Sequence, residues 1–270
     1  MIYLERQPRA PLNRCIRKLW YARAPGIEPR RERVLPIGCV QVILNLARDF
    51  LLDCPENEPD RQVAASLVVG ARTEYELIDR SDLADLIGII FRPGGFACFC
   101  DDPVDAFSHR NTSLEDVWRS QARALRDRLR ELTNPEARLV FLEHFLMTSY
   151  ADRVGTNPVI DFALRRFAEP ASVIRIEQVA KEAGWSTRHF SQIFREHVGV
   201  SPKAWCRVQR FQSALRRLRS GAEVAWADLA LECGYYDQAH FSNEFRAFSG
   251  INPSTYSAQQ TQWVNHIRVD

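Results

Sequence analysis

GWSTRHFSQIFREHVGVSP (184–202) and GYYDQAHFSNEFRAFSGINP (234–253) are two spellings of one pattern. Aligned, Ala180-x-x-x-Gly184 stands against Ala230-x-x-x-Gly234, Phe190-Ser-x-x-Phe194-Arg195 against Phe241-Ser-x-x-Phe245-Arg246, and Gly199-x-x-Pro202 against Gly250-x-x-Pro253. The offset is 50 residues before the turn and 51 after it, so the second copy carries one extra residue in its turn. Self-similarity at such a period marks one supersecondary unit used twice.

That unit reads as helix, turn, helix. Ile176, Val179 and Ala180 give the first helix a buried face, and Gly184 supplies the left-handed residue that ends it; Trp226, Leu229, Ala230 and Gly234 repeat the scheme. The second helices are expected to start near Thr187 and Asp237, both N-cap types, and to bury Phe190, Ile193 and Phe194 in one copy and Phe241, Phe245 and Phe248 in the other. The opposite faces then carry Thr187, Arg188, Ser191, Gln192 and Arg195, and Gln238, Ala239, Ser242, Asn243 and Arg246. Arg pairs with guanine, Gln and Asn with adenine, and Ser or Ala sits against a thymine methyl or a phosphate. A solvated face would carry more Lys and Glu. Between the copies, Trp205, Val208, Phe211, Ala214, Leu215 and Leu218 follow a helical period, which predicts a connecting helix. From 188 to 219 the bases are Arg188, Arg195, Lys203, Arg207, Arg210, Arg216, Arg217 and Arg219, opposed in that stretch only by Glu196. Such clustering suits phosphate binding, with Arg216 and Arg217 as expected phosphate contacts.

On these motifs, residues 157–257 resemble the DNA-binding domain of the AraC/XylS family of bacterial transcription regulators, whose two helix-turn-helix units close with G-x-S/N-P, here Gly199-Val-Ser-Pro202 and Gly250-Ile-Asn-Pro253. The resemblance implies that the second helices enter successive major-groove segments roughly 34 Å apart. It also implies base or adjacent phosphate contacts for Arg188, Ser191 and Gln192, and for Ala239, His240, Ser242 and Asn243. Ala239 and Asn243 are weaker donors than the Gln and Arg often found there, so the second helix is expected to contribute less specificity. The implied partners are double-stranded promoter DNA, RNA polymerase, a small-molecule effector and a second copy of the chain, with no cofactor.

The front half is β-rich. CIRKLWYA, VLPIGCVQVILNLA, DFLLDC, SLVVGARTEYELID and LADLIGIIF, broken by turns at 55–61 and 92–95, suggest a barrel or sandwich. VLPIGCVQVILNL and IGIIFRPGGF resemble the cupin-like sensor halves of some of these regulators. That resemblance implies acidic residues where this chain has Ile37 and Gln41, so their ligand contact is not carried over. Trp118, Ala122, Leu125, Leu129 and Leu132 then predict a helix, and Asn134-Pro135 opens a second whose stripe is Leu139, Leu142 and Leu146. The expected class is therefore α+β: a cupin-like sensor over 1–112, a helical hairpin for linkage or dimerisation over 113–152, an AraC-type domain over 157–257, and a tail over 258–270. The hairpin is the expected route by which an effector acts on the DNA-binding half.

The chain has 270 residues and a formal net charge of +2, so partner identity rests on local rather than global charge. The N-terminal stretch lacks an unbroken apolar run, and LIGIIF is too short to span a bilayer, which predicts a cytoplasmic protein without membrane attachment. Seven scattered cysteines (15, 39, 54, 98, 100, 206 and 233) fit reduced thiols. Cys98-Phe99-Cys100 is read as a strand with both thiols on one face. His109 and His144 stand alone in sequence, so no metal or cupin-type catalysis is expected. The rival readings are an enzyme or DNA-repair protein fused to the same DNA-binding domain, which would need a clustered four-cysteine zinc site, and a ligand-free architectural protein.

Overall fold

Alternation with period two builds the front half. Its strands are β1 (Ile2–Arg6), β2 (Ile16–Arg23), β3 (Arg31–Val34), β4 (Gln41–Asn45), β5 (Phe50–Asp53), β6 (Arg61–Ala64), β7 (Ser66–Val69), β8 (Glu76–Asp79), β9 (Leu86–Phe91) and β10 (Asn111–Ser113), with β11 (His266–Arg268) arriving from the C-terminal end. The computed structural model describes residues 1–24, 31–56, 58–169, 175–219, 225–261 and 263–269. Asn57 of the predicted 55–61 turn, and Ser220 and Gly221 at the end of the predicted connecting stretch, lie outside them.

Among the described residues there are three sheets, ordered β1-β2-β9-β4-β7-β10, β11-β3-β8 and β5-β6, and none closes into a barrel. Every ladder is antiparallel. In the largest sheet Leu19, Tyr21, Val42, Leu44, Val68, Ile87 and Ile89 point into the main core. Their neighbours Trp20, Ile43, Leu67, Val69 and Leu86 face the other way and meet Leu51 and Val63 of the β5–β6 hairpin. Gly88 lies opposite Trp20, and a Cβ on it would fall 2.5 Å from the indole, so this position must lack a side chain. The predicted run 66–79 is two strands in two sheets: β7 and β8.

The helical part follows as α1 (Leu114–Trp118), α2 (Ser120–Glu131), α3 (Pro135–Tyr150), α4 (Pro158–Ala168), α5 (Ile176–Glu182), α6 (Thr187–Val198), α7 (Pro202–Leu218), α8 (Trp226–Glu232), α9 (Gln238–Ser249) and α10 (Pro253–Ala258). The single helix predicted from Trp118 onward is interrupted: Arg119 has φ +54°, which separates α1 from α2, although Trp118, Ala122, Leu125 and Leu129 are all buried as the stripe requires. Asn134 caps α3 by accepting from the N–H groups of Glu136 (2.8 Å) and Ala137 (3.1 Å), with Pro135 in the first turn. Buried Arg138 closes the hairpin, donating from Nε to the carbonyls of Leu129 (3.0 Å) and Leu132 (2.7 Å) and from Nη1 to Asp85 (2.8 Å).

One expectation is corrected here. Cys98 ends a 3-10 turn, Gly95–Cys98, rather than lying on a strand, and Cys100 bonds locally to the carbonyls of Phe96 and Asp102. The tail, which has no clear period in the sequence, docks on the body: β11 pairs with β3, and Trp263 packs edge-on against Tyr3 with centroids 4.5 Å apart. The front-half core runs without interruption through Ile160 and Ala163 of α4 to Phe190, Phe194 and Trp205, whereas Phe241, Phe245 and Phe248 gather with Phe211 in a second cluster that also takes in Leu35 and Ile267.

Candidate nucleic-acid interface

The two repeats are built by the same local chemistry. After α5 and α8, Gly184 and Gly234 adopt φ +76° and +80°. The next residues, Trp185 and Tyr235, each donate an N–H to a carbonyl of the helix just ended, Ala180 and Ala230, both at 2.9 Å. This is the glycine stop that satisfies otherwise orphaned helix carbonyls. Helix α6 is capped by Ser186, whose hydroxyl accepts from His189 N at 3.3 Å, so Thr187 is the first helical residue rather than the cap. Helix α9 is capped by Asp237, which accepts from His240 N at 2.7 Å. Each second helix stops at a left-handed glycine, Gly199 (φ +94°) or Gly250 (φ +73°). Then Ser201 or Asn252 caps the following helix, with Pro202 or Pro253 in its first turn. The G-x-S/N-P pattern is thus a stop, a cap and a start in four residues. The extra residue of the second copy is Tyr236, 85% exposed beside the start of α9. The one-residue change in offset was its trace in the sequence.

Phe190 and Phe194 of α6 and Phe241, Phe245 and Phe248 of α9 are fully or almost fully buried, which fixes what the helices present outward. Ile193 is only half-buried. Thr187, Arg188, Gln192, Arg195, Gln238, Ala239, Asn243 and Arg246 are exposed, as are Arg216 and Arg217, while Ser191, His240 and Ser242 are half-exposed. Not all of these groups are unengaged. Gln192 donates to Glu196 at 2.9 Å, Arg195 pairs with Asp105 of the front half at 3.0 Å, and Arg217 pairs with Glu232 at 2.7 Å. His240 stands 3.6 Å from Glu244 and edge-on to Tyr235. No ion pair forms at Arg188, Arg216 or Arg246 among the described residues.

The basic run is less uniform in space than in sequence. Arg207 bonds Glu244 at 2.6 Å and lies over Phe248, while Arg210 sits 3.6 Å from the same carboxylate and over Tyr235. Glu244 is buried. These two arginines therefore tie α7 to α9 instead of facing outward. Burial, with Glu244 nearby, raises the Tyr235 phenol well above its ordinary range.

Both closing turns rest on the front half. Gly199 is 3.2–3.3 Å, measured from an imagined Cβ, from Ala71, Ser108 and Val104, and the Ser108 hydroxyl donates to the Gly199 carbonyl. At Gly250 a Cβ would be 2.8 Å from the Tyr75 ring. Gln212 of α7 donates to Pro36 O at 2.8 Å. Along this seam a cavity of about 650 Å³ opens between Arg14, Arg92 and Gly95 of the front half and Ile160, Arg165 and Trp205 behind it. Its lining carries three guanidiniums and the Asp161 carboxylate beside an apolar wall of Ile160, Leu164 and Trp205. No group of three or more His, Cys, Asp or Glu side chains that could hold a metal occurs among the described residues, and no helix there is long and apolar enough to cross a membrane.

Comparison with known proteins places this geometry. A family model described as a helix-turn-helix domain matches residues 179–259, and one described as a domain of unknown function matches residues 4–113. An uncharacterized HTH-type transcriptional regulator of Haemophilus influenzae is 36% identical over 88 residues, 33% of this chain and 29% of that protein. The arabinose operon regulatory protein of Escherichia coli is 31% identical over 94 residues, 35% of this chain and 32% of that one. The chain thus spans about three tenths of the length of these relatives. Among solved structures, ToxT from Vibrio cholerae superposes with a TM-score of 0.47 at 12% identity, covering 96% of this chain and 98% of that one. With its paired units, matched closing turns and this family match, the chain carries a helix-turn-helix domain of the AraC type over residues 179–259.

Proposed function

We propose that this protein is a sequence-specific, DNA-binding transcription regulator of the AraC type. The observation that carries the reading is the pair α6 and α9: two helices with equivalent caps and stops, each burying phenylalanines and exposing Arg, Gln, Asn and Ser, within the segment that matches the helix-turn-helix family. Recognition helices read base edges with their N-terminal residues. On α6 these are Thr187, Arg188, Ser191 and Gln192, and on α9 Gln238, Ala239, Ser242 and Asn243, with Tyr236 added by its exposure at the same end. In the proposed complex His240, Arg246 and Arg216 make supporting contacts, Arg216 to phosphate. Arg195 and Arg217 join them only by giving up Asp105 and Glu232.

The proposed partners are promoter DNA, RNA polymerase, a second copy of the chain and a small-molecule effector; the proposed role is activation in the cytoplasm, with no reaction catalysed. The seam cavity supports effector control, because an anion held by Arg14, Arg92 and Arg165 touches both halves at once. A ligand shifts an equilibrium only by its difference in affinity between two states, and a cavity at the joint provides that difference. The test is selection of a preferred duplex from random DNA, followed by titration of variants on preferred and scrambled duplexes. Arg188→Ala and Gln192→Ala should each weaken the preferred site by about 1–3 kcal/mol and relax preference at particular bases. Arg216→Ala should weaken both duplexes alike and flatten the salt dependence. Equal losses on both duplexes for Gln192→Ala would remove α6 from base reading.

A further inference from the structure

Two thiols that lie far apart in sequence meet at the joint between the halves. Cys15 Sγ and Cys98 Sγ are 3.4 Å apart, with 83 residues between their positions. Their approach is fixed by backbone rather than by chance rotamers. Cys98 ends the turn that Gly95 begins, and Gly95 lies so close to Cys15 that a Cβ on it would fall 2.0 Å from the Cys15 carbonyl, which itself accepts from Arg92 N at 2.8 Å. Cys98 also grips the linker into the back half: its Sγ donates to Gly155 O at 2.9 Å and accepts from Gly155 N at 3.5 Å. Cys15 is fully buried, whereas Cys98 is half-exposed and open to a small oxidant. Arg153, held at 2.9 Å by Cys100 O and at 2.8 Å by Asp101, places a positive charge nearby.

We propose that Cys15 and Cys98 are a peroxide-oxidisable dithiol whose disulfide releases Gly155 and so alters the linker, which holds whether or not the chain binds DNA. The Cys98 thiolate attacks the distal oxygen of a hydroperoxide. The S–O bond forms, the O–O bond breaks, and the departing oxygen leaves with a proton as water or an alcohol. Cys15 sulfur then attacks Cys98 sulfur, the S–S bond forms, the S–O bond breaks, and hydroxide leaves as water with the Cys15 proton. Two sulfurs lose one electron each and the peroxide gains two. The sulfurs close from 3.4 Å to about 2.0 Å; Cys15, whose Sγ lies 3.7 Å from Gly155 O, loses its hydrogen, and the thiolate that accepted from Gly155 N is lost.

The electrostatics fit these roles. Donation from Cys15, aided by Gly155 N–H and Arg153 against the opposing effect of burial, holds the Cys98 thiol down at about 6, while Cys15 is pushed up as the donor. Burial pushes Cys39, Cys54 and Cys100 up to about 12 and Cys206 to about 11, so they are poor competitors.

The test treats the reduced full-length chain with one equivalent of hydrogen peroxide, alkylates the remaining thiols and maps the peptides. A Cys15–Cys98 linked peptide should take up most of Cys98, while Cys39, Cys54 and Cys206 stay alkylated. Hydrogen exchange at Gly155 should rise after oxidation. In Cys15→Ser, Cys98 should remain as a sulfenic acid captured by dimedone. If a serine variant fails to fold, the wild-type map and exchange decide alone. Cys98 left untouched, joined to Cys100 or linked to a second chain overturns the dithiol. A linked pair with unchanged exchange at 153–157 overturns its coupling to the linker.

Discussion

Replacing Glu244 with Gln should destabilise the second helix-turn-helix unit far more than a surface charge change would. The Glu244 side chain is 9% exposed and faces Arg207 at 2.6 Å, Arg210 at 3.6 Å and His240 at 3.6 Å. Gln keeps the volume and one acceptor for Arg207 but leaves two guanidiniums beside Phe248 and Tyr235 without a counter-charge. Removing one partner of a fully buried pair costs about 3–5 kcal/mol, and an exposed pair contributes about 0–1 kcal/mol. Here the acid is buried, but Arg207 and Arg210 are 37% and 30% exposed, so water recovers part of the loss. The expected cost is therefore about 1–3 kcal/mol. The control is Glu232→Gln, whose pair with Arg217 is 52% and 59% exposed and should change stability by less than about 1 kcal/mol. Urea melts followed by tryptophan emission and far-UV dichroism measure both, and the cost should fall with added salt only weakly. If Glu244→Gln and Glu232→Gln cost the same, the buried carboxylate does not organise α7 against α9.

Asp105→Ala should free Arg195 and remove an acid beside the exposed face of α6. The pair is 53% and 29% exposed and so contributes at most about 1 kcal/mol, which predicts a gain in DNA affinity of up to about fivefold in low salt that fades as salt is raised. An unchanged or weaker affinity in an anisotropy titration would count against it. Asp82 gives a pH signature. Burial, only partly offset by Leu52 N–H at 2.8 Å and by Arg48, pushes its carboxyl up to about 6. The folded chain then holds this proton more tightly than the unfolded chain, so Asp82's contribution to stability declines as pH rises from about 4 through 6. Relative to wild type, Asp82→Asn should gain about 1–3 kcal/mol in urea melts between pH 4 and pH 7; a pH-independent difference would refute this.

Features decided within a few residues were legible in the sequence. The glycine stops, the caps at Asn134 and Asp237, and the phenylalanine stripes are local chemistry, and the structure places them where that chemistry requires. What stayed hidden was decided across long separations. The stripe through Trp118, Ala122 and Leu125 is continuous in sequence, and nothing local announces that Arg119 turns to positive φ between two helices. Strand β11 is three residues long and exists only because β3 offers its edge. Glu244 lies 37 residues from Arg207, so a count of charges in one window took as free for phosphate two arginines that are tied to a buried carboxylate. The same blindness drew attention to Cys98 and Cys100, neighbours in sequence, rather than to Cys15 and Cys98, neighbours in space.

The repeat also shapes how the halves communicate. Because each unit closes on a left-handed glycine, each offers a flat corner without a side chain, and the front half occupies both: Ala71, Val104 and Ser108 against Gly199, Tyr75 and Arg33 against Gly250. Gly38, with φ +71°, meets Val208, Trp205 and Gln209 of α7, the helix that joins the two units. The separation of α6 and α9 is thus set by α7 and again by the front half, at three points. DNA-reading helices must match a groove repeat of roughly 34 Å, so a shift of Ala71, Val104 and Ser108 relative to Tyr75 and Arg33 would change the fit of one helix against the other. An effector in the seam or an oxidised pair at the linker therefore needs no contact with Arg188 or Asn243 to alter binding. The N-terminal turns of α6 and α9 are exposed, whereas their C-terminal turns are the ends the front half covers.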